Sequence, residues 1–346
     1  MKPPRKVSLK TIAQEAGVSV MTASRAINGT GYVAQVTIAR IKKIADKHRY
    51  RPNLLIRGVQ TGRTMTIGVI FPADLGFYTN VLEGIHDELL ANQYGIQLSL
   101  VKKHFGAQAA QQEHDQILRM LDLRVDGIIL RPVNDNATSL YFKEVFKRKI
   151  PLVTIDRKLE KVQCDFAGSD DFYAGKKAAE YLIEQGHRDI LLVATGDSVS
   201  TGRERRDGFL AFTKEQAKKI RVVVINEPDF KHHEPEVLRA LTTHPGITAA
   251  FCVSDTLTPG LYHTAGKLGK KIPGDLSILG FGNLEFGPYL SPALSTFDQH
   301  PDCIGKTAVE MLLKRLGSQT PGKYHRNLIP ADLLLRDSVG SIETKK

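Results

Sequence analysis

Two different rhythms of apolar residues divide this chain. Near its start the apolar positions recur three and four apart, the spacing of one helix face. Leu9 to Ala16 turns Ile12, Ala13 and Ala16 to one side, with Ser8 as N-cap and Gly17 as the left-handed residue that stops it. Val18 plugs the corner, Ser19 caps a second helix from Val20 to Ile27, and Ala23, Ala26 and Ile27 form its inner face. A third helix, about Gln35 to His48, carries Ile38, Ile41, Ile44 and Ala45 inward, and Tyr50 closes the small core. From Thr66 onward short β-branched runs take over, alternating with amphipathic stretches: Thr66–Phe71, Ile96–Val101, Gly127–Leu130, Leu152–Ile155, Ile190–Val193, Arg221–Ile225, Ala249–Val253 and Ser277–Gly280. Such alternation predicts parallel sheets covered by helices on both faces. A second α/β unit is expected to begin after Arg157, at Cys164-Asp165-Phe166-Ala167-Gly168.

Charge sharpens the division. The chain has 48 Lys and Arg against 37 Asp and Glu, a net charge of +11. Residues 1–63 hold 13 of the basic residues and only Glu15 and Asp46 as acids, so the whole excess sits there and the remainder is neutral. A positive field confined to a small helical module is the footprint of a polyanion. The second helix sends Val20, Met21, Ser24 and Arg25 outward, as the second helix of a helix-turn-helix does in a DNA major groove. Arg25 can fork onto guanine, and Val20 and Met21 can touch thymine methyls. At 346 residues the chain has room for this module and about two further domains of roughly 100–150 residues.

The residues Thr11-Ile12-Ala13, Ala16-Gly17-Val18-Ser19, Thr22, Ser24-Arg25, Asn28 and Tyr50-Arg51-Pro52-Asn53 resemble the signature of the LacI/GalR family of bacterial transcription regulators. The resemblance continues in family order through Ile67-Gly68-Val69-Ile70, Gly84-Ile85, Val125-Asp126-Gly127-Ile128-Ile129, Ile155-Asp156-Arg157, Gly186-His187-Arg188-Asp189-Ile190, Arg205 before Gly208-Phe209, and Tyr289-Leu290-Ser291-Pro292. It implies an N-terminal all-α helix-turn-helix module over residues 1–52 and a hinge helix and linker over 53–64. The α/β body, 65–337, is then two Rossmann-like lobes of the type I periplasmic-binding-protein kind. The first lobe takes 65–162 plus 298–326 and the second 163–297 plus 327–337, with crossings near 163, 297 and 326 and a polar tail at 338–346.

The resemblance also assigns residues. Thr11, Ser19, Val20, Met21, Thr22, Ser24, Arg25, Asn28 and Tyr32 are expected at DNA. Asn53, Arg57 and Val59 belong to the hinge, where Val59 stands in place of the usual leucine wedge and follows the helix-weakening Gly58. In the cleft between the lobes, Phe77 and Tyr78 match aromatic ligand contacts, Arg205 the recurrent effector contact, and Thr201 lies close before it. Asp156 follows a strand, where it either accepts ligand hydroxyls or pairs with the adjacent Arg157. Asp255 keeps the Asp of a usual Asn-Asp pair, with Ser254 replacing the Asn. Many relatives carry a carboxylate where this chain reads Gly280-Phe281-Gly282-Asn283, so Asn283 or Glu285 must substitute or the effector is poorer in hydroxyls. The expected partners are a two-fold symmetric DNA operator, a small-molecule effector of carbohydrate type, and a second copy of the chain in a homodimer. No leucine heptad follows Arg336, so a tetramer-forming tail is not expected.

Other functional classes are poorly served. There is no Gly-x-Ser-x-Gly elbow, no phosphate-binding Gly-x-x-x-x-Gly-Lys loop and no metal-spaced His/Cys set, and Gly280-x-Gly282 lacks the third glycine of a dinucleotide fingerprint. An enzyme, a cofactor or a metal is therefore not expected, and His232-His233-Glu234 reads as a polar loop. Cys164, Cys252 and Cys303 are odd in number and widely spaced, as reduced filler is. With neither a signal-peptide pattern nor a membrane-length apolar run, the expected location is the cytoplasm. The alternative is a constitutive architectural DNA binder with a relic cleft, and ligand-dependent operator affinity separates the two.

Overall fold

The computed structural model describes residues 7–29, 31–51, 62–73, 75–102, 107–133, 135, 140–196, 199–216, 220–226, 234–318 and 322–342. Two units make up the chain, Met1–Thr66 and Ile67–Lys346.

In the first unit helices α1 (Leu9–Glu15), α2 (Val20–Asn28) and α3 (Gln35–Lys47) enclose Ile12, Ala16, Ala26 and Ile41, with Val18, Ile38, Ile44 and Tyr50 around them. The caps are the expected ones. Ser8 Oγ accepts from Thr11 N at 3.3 Å and Ser19 Oγ from Thr22 N at 3.0 Å. Gly17 has φ +63°, a conformation that any side chain would strain. Glu15, one of the segment's two acids, ties α1 to α3 through Lys47 at 2.6 Å and through His48.

The body holds two parallel sheets. The first, in the order β11-β5-β4-β3-β1-β2, comprises β1 (Thr66–Pro72), β2 (Gly95–Val101), β3 (Gly127–Leu130), β4 (Leu152–Ile155), β5 (Asp165–Ser169) and β11 (Arg326–Ile329). Its register sets Ile67 beside Gly127 and Val153 beside Asp165. One face buries Val81, Ile85 and Leu89 of α4 (Leu75–Ala91) together with Ile304, Ala308 and Leu312 of α11 (Pro301–Gly317). Against the other lie Ile117 and Leu121 of α5 (Ala107–Asp122) and Phe142 and Val145 of α6 (Leu140–Lys147).

The second sheet runs β7-β6-β8-β9, from β6 (Asp189–Ala194), β7 (Arg221–Asn226), β8 (Ala249–Cys252) and β9 (Ser277–Leu279). Helices α7 (Asp171–Glu184), α8 (Ser200–Lys214), α9 (Glu234–Thr243) and α10 (Thr258–Lys267) share its core. A two-stranded antiparallel pair, β10 (Thr296–Asp298) with β12 (Asp332–Leu334), lies between the segments that return to each sheet.

Two lobe boundaries differ from the sequence reading. Asp165–Ser169 does not open the second lobe: it pairs with β4 and extends the first sheet, and Arg326–Ile329 joins as the edge strand beside it. The chain thus leaves the first sheet after Ser169 rather than near 163, and after Ile329 rather than near 326. The cause is long-range. Asp165 is clamped by Arg315 of α11 and accepts from His325 N at 2.8 Å, contacts that hold both strands to the first sheet.

A shared device stiffens the lobes. A Cβ on Gly175 of α7 would sit 2.1 Å from the Arg205 carbonyl oxygen of α8, and one on Gly208 of α8 would sit 2.0 Å from that of Phe172. Gly84 of α4 and Gly305 of α11 stand in the same relation to Asp302 and Val81. Each lobe therefore crosses one helix pair backbone to backbone, which only glycine permits.

Candidate functional site

In the first unit several of the expected DNA contacts are exposed. Val20 is 46% exposed, Met21 65% and Tyr32 94%, which a monomeric unit with a closed core has no reason to display. Arg25 is exposed beside them, and its Cδ lies 3.2 Å from where a Cβ on Gly31 would be. The smaller polar residues serve the scaffold as well. Thr11 and Thr22 hydroxyls pair with the capping Ser8 and Ser19 hydroxyls at 3.0 and 2.9 Å, and Asn28 Nδ2 donates to Ser24 Oγ at 3.2 Å. Asn53, Arg57 and Val59 lie outside the described residues.

The body gathers its chemistry where the C-terminal ends of the strands face one another, the place such folds reserve for ligands. Arg131 follows β3 directly and Asp156 follows β4. The Tyr78 hydroxyl donates to Asp156 Oδ2 at 2.6 Å, while Arg131 Nε donates to Tyr78 Oη at 2.8 Å and to Asp156 Oδ2 at 3.3 Å. Burial pushes the Tyr78 hydroxyl well above its usual pKa, so it stays a donor. Phe77 meets the Tyr78 ring edge-on at 5.3 Å. Asp156 has φ +60°, and its carboxylate is engaged by Tyr78 and Arg131. Arg157 instead reaches the Val133 carbonyl at 2.9 Å and Asp135 at 4.0 Å. Burial lowers that guanidinium to about 10, Arg131 adding to the effect and Asp135 opposing it.

Across from this group, Arg205 is committed through all three nitrogens: Nε donates to Asp171 Oδ1 at 2.7 Å, Nη1 to the Val253 carbonyl at 2.9 Å, and Nη2 to Gln299 Oε1 at 2.8 Å. Its guanidinium lies 3.8 Å from the Phe281 ring centre. Burial raises the Asp171 carboxyl to about 7 against the pull of Arg205, and the charge of Asp156 adds to the rise. Three contacts join the lobes at the first turn of α8. Asp135 Oδ2 accepts from Ser200 N at 2.6 Å, Lys158 bonds Glu204 at 2.7 Å, and Arg203 bonds Glu160 at 2.6 Å. Thr201 is buried on the same turn. At the end of β6, Thr195 Oγ1 is buried without a hydrogen-bond partner among the described residues.

Asp255 and Asn283 are engaged within the protein. Asp255 is wholly buried, accepts from Thr296 Oγ1 at 2.7 Å and Leu284 N at 3.0 Å, and supports the 280–284 turn. A Cβ on Gly280 would meet its Oδ1 at 2.1 Å. Asn283 is occupied by Asp298 at 3.0 Å and Arg336 at 2.8 Å. Phe77, Tyr78, Asp156, Thr201 and Arg205 thus lie near the strand ends, while the side chains of Asp255 and Asn283 are engaged in bracing the loops. Sequence reasoning missed Arg131, Asp135, Asp171 and Gln299. A polar residue directly after an apolar run was a usable signal for Arg131, whereas Asp135 sits in a loop without pattern.

Three sets of similarities bear on this arrangement. Residues 8–53 match the family model described as bacterial regulatory proteins, lacI family, and residues 179–339 match the periplasmic binding protein-like domain. The HTH-type transcriptional repressor PurR of Vibrio parahaemolyticus is 30% identical over 96% of this chain and 98% of its own length. Among solved structures, the lac repressor dimer bound to operator and the anti-inducer ONPF superposes with a TM-score of 0.81 over 97% of this chain and all of that one, at 20% identity. A LacI family regulator from Enterococcus faecalis with bound ribose superposes with a TM-score of 0.68 over 80% of this chain and all of that one, at 26% identity.

Proposed function

Since the chain belongs to the LacI family of bacterial regulatory proteins, and so is a DNA-binding transcription regulator, we propose that it is a repressor whose grip on a two-fold symmetric operator is set by a small molecule in the strand-end cleft. One observation carries the reading: a basic unit presents Val20, Met21 and Arg25 on one helix, in the same chain as two sheets whose strand ends converge on aromatic and charged side chains. Each unit offers a single recognition helix, so two half-sites call for two copies of the chain. The cleft combines aromatic faces with hydrogen-bond donors and acceptors, as a polar ring-shaped ligand requires. A sugar or sugar derivative fits that description, and ribose occupies the E. faecalis relative. The PurR relatives are named as repressors, and no helix among the described residues is long and apolar enough to cross a membrane. A regulator of this kind works beside the chromosome, in the cytoplasm.

The test is operator selection from random duplexes with the full chain, followed by gel-shift titration with and without candidate compounds. A palindromic site whose affinity changes with a bound compound is expected. Binding without sequence preference, or an operator affinity that no bound compound alters, would leave an architectural DNA binder instead.

A further inference from the structure

The cations at the strand ends are not equally committed. Arg205 uses all three nitrogens within the protein, Lys158 is bonded to both Glu204 oxygens, and Arg157 is wholly buried against Val133 and Asp135. Arg131 differs. Its Nε is taken by Tyr78 and Asp156 and one Nη1 bond goes to the Pro132 carbonyl at 3.3 Å, while Nη2 makes no hydrogen bond to any described residue. Its side chain is 13% exposed and that of Asp156 11%, so the group is pinned but keeps some exposed surface. Anchoring a guanidinium through Nε and one Nη1 hydrogen leaves Nη2 and the second Nη1 hydrogen, on its outer edge, for a ligand. That edge pairs in parallel with the two oxygens of a carboxylate or phosphate. Asp156 orients the guanidinium through Nε without covering this edge, and Tyr78, whose ring lies 5.4 Å from the Arg131 carbon Cζ, fixes it from the side.

We infer that the small molecule is an acidic carbohydrate derivative, carrying a carboxylate or phosphate, and that Arg131 receives this group through its outer guanidinium edge with Tyr78 and Asp156 as positioning residues. The inference rests on the ligand cleft proposed above and narrows it. Phe77 and Tyr78 supply the face on which the carbon skeleton lies.

Isothermal titration of the full chain with matched sets tests it: glucose against gluconate, glucuronate and glucose 6-phosphate, and the corresponding galactose and ribose compounds. An anionic member is expected to bind roughly tenfold or more tightly than its neutral parent, the scale of one charge-assisted paired contact. The acid and phosphate arms decide which group is read. Arg131→Gln should shrink that gap to below about threefold, and Arg131→Lys, which keeps charge without the fork, should leave it intermediate. If the glutamine variant does not fold, the lysine variant alone is expected to narrow the gap. A neutral parent binding as tightly as its anionic forms, or a gap unchanged in these variants, overturns the inference while leaving the ligand cleft standing. Binding by no member of either set counts against the cleft as well.

Discussion

The two units of this chain build their sites in opposite ways. In the first, Val20, Met21 and Arg25 sit within two turns of one helix, outside a core of Ile12, Ala16, Ala26 and Ile41, so contact and scaffold occupy different faces. In the body the site residues arrive from separate helices and strand ends and are packed against one another, Arg205 spanning Asp171, Val253 and Gln299. A local site can be changed without touching the fold. A convergent one cannot, because the side chains that face the ligand also hold the elements that carry it.

The sharpest way to break this contrast is Arg205→Ala. The substitution leaves the buried Asp171 carboxylate without its cation and the Val253 carbonyl and Gln299 without a donor. Removing one partner of a buried pair costs about 3–5 kcal/mol. Urea unfolding of the full chain should show the body's transition shifted to lower denaturant by that amount. A shift below about 1 kcal/mol would mean that the cluster relaxes freely and that site and scaffold are separable here too.

Asp171 sharpens the same point through pH. Its carboxyl is raised in the fold to about 7 from an unfolded value near 3.8, so the folded state holds a proton that the unfolded state gives up across that interval. The unfolded chain binds fewer protons there, and the contribution of Asp171 to stability therefore declines as pH rises from about 4 to about 7 and is level above. Asp171→Asn should flatten that part of the stability profile, measured by denaturation at successive pH values. A wild-type profile with the same slope as the variant would remove Asp171 as its source.

How far each site could be read in advance follows from the same contrast. The caps at Ser8 and Ser19, the stop at Gly17 and the outward face of α2 depend on neighbours within a few residues, and each stands where the pattern put it. The apolar runs likewise mark the strands from β1 to β4 and β6 to β9. Asp165–Ser169 joins the first sheet against its local pattern because that choice is made by Arg315 and His325, which lie far along the chain. Arg131 stayed hidden for a related reason: a strand-end arginine is an ordinary surface residue until Tyr78 and Asp156 are folded against it. Asp255, expected at the ligand, also accepts from Thr296 and Leu284, partners that no local pattern announces.

On the local side, Arg25→Ala should cost about 1–3 kcal/mol on the cognate operator and relax preference at one base pair per half-site, as loss of a paired contact to guanine does. Gel-shift competition with substituted operators measures this, and the unfolding curve of the first unit should not move. A uniform loss on all sequences with a shallower salt dependence would make Arg25 a phosphate anchor instead.

The smallest expected effect tests whether contact and scaffold part company even within one residue. Ser19 caps α2 through Thr22 N and is also expected at DNA. Ser19→Ala removes the cap and should cost about 1 kcal/mol of the first unit's stability, lowering operator affinity on all sequences without changing base preference. Ser19→Asp keeps a side-chain oxygen for the cap and adds a charge that suits a helix N-terminus, so stability should be retained. The same charge repels phosphate, so operator affinity should fall below that of the alanine variant at low salt, with the difference shrinking as salt is raised. Thermal unfolding and salt-titrated gel shifts read the two quantities independently. If the aspartate variant binds operator as the serine does at low salt, Ser19 lies away from the phosphates and serves the helix alone.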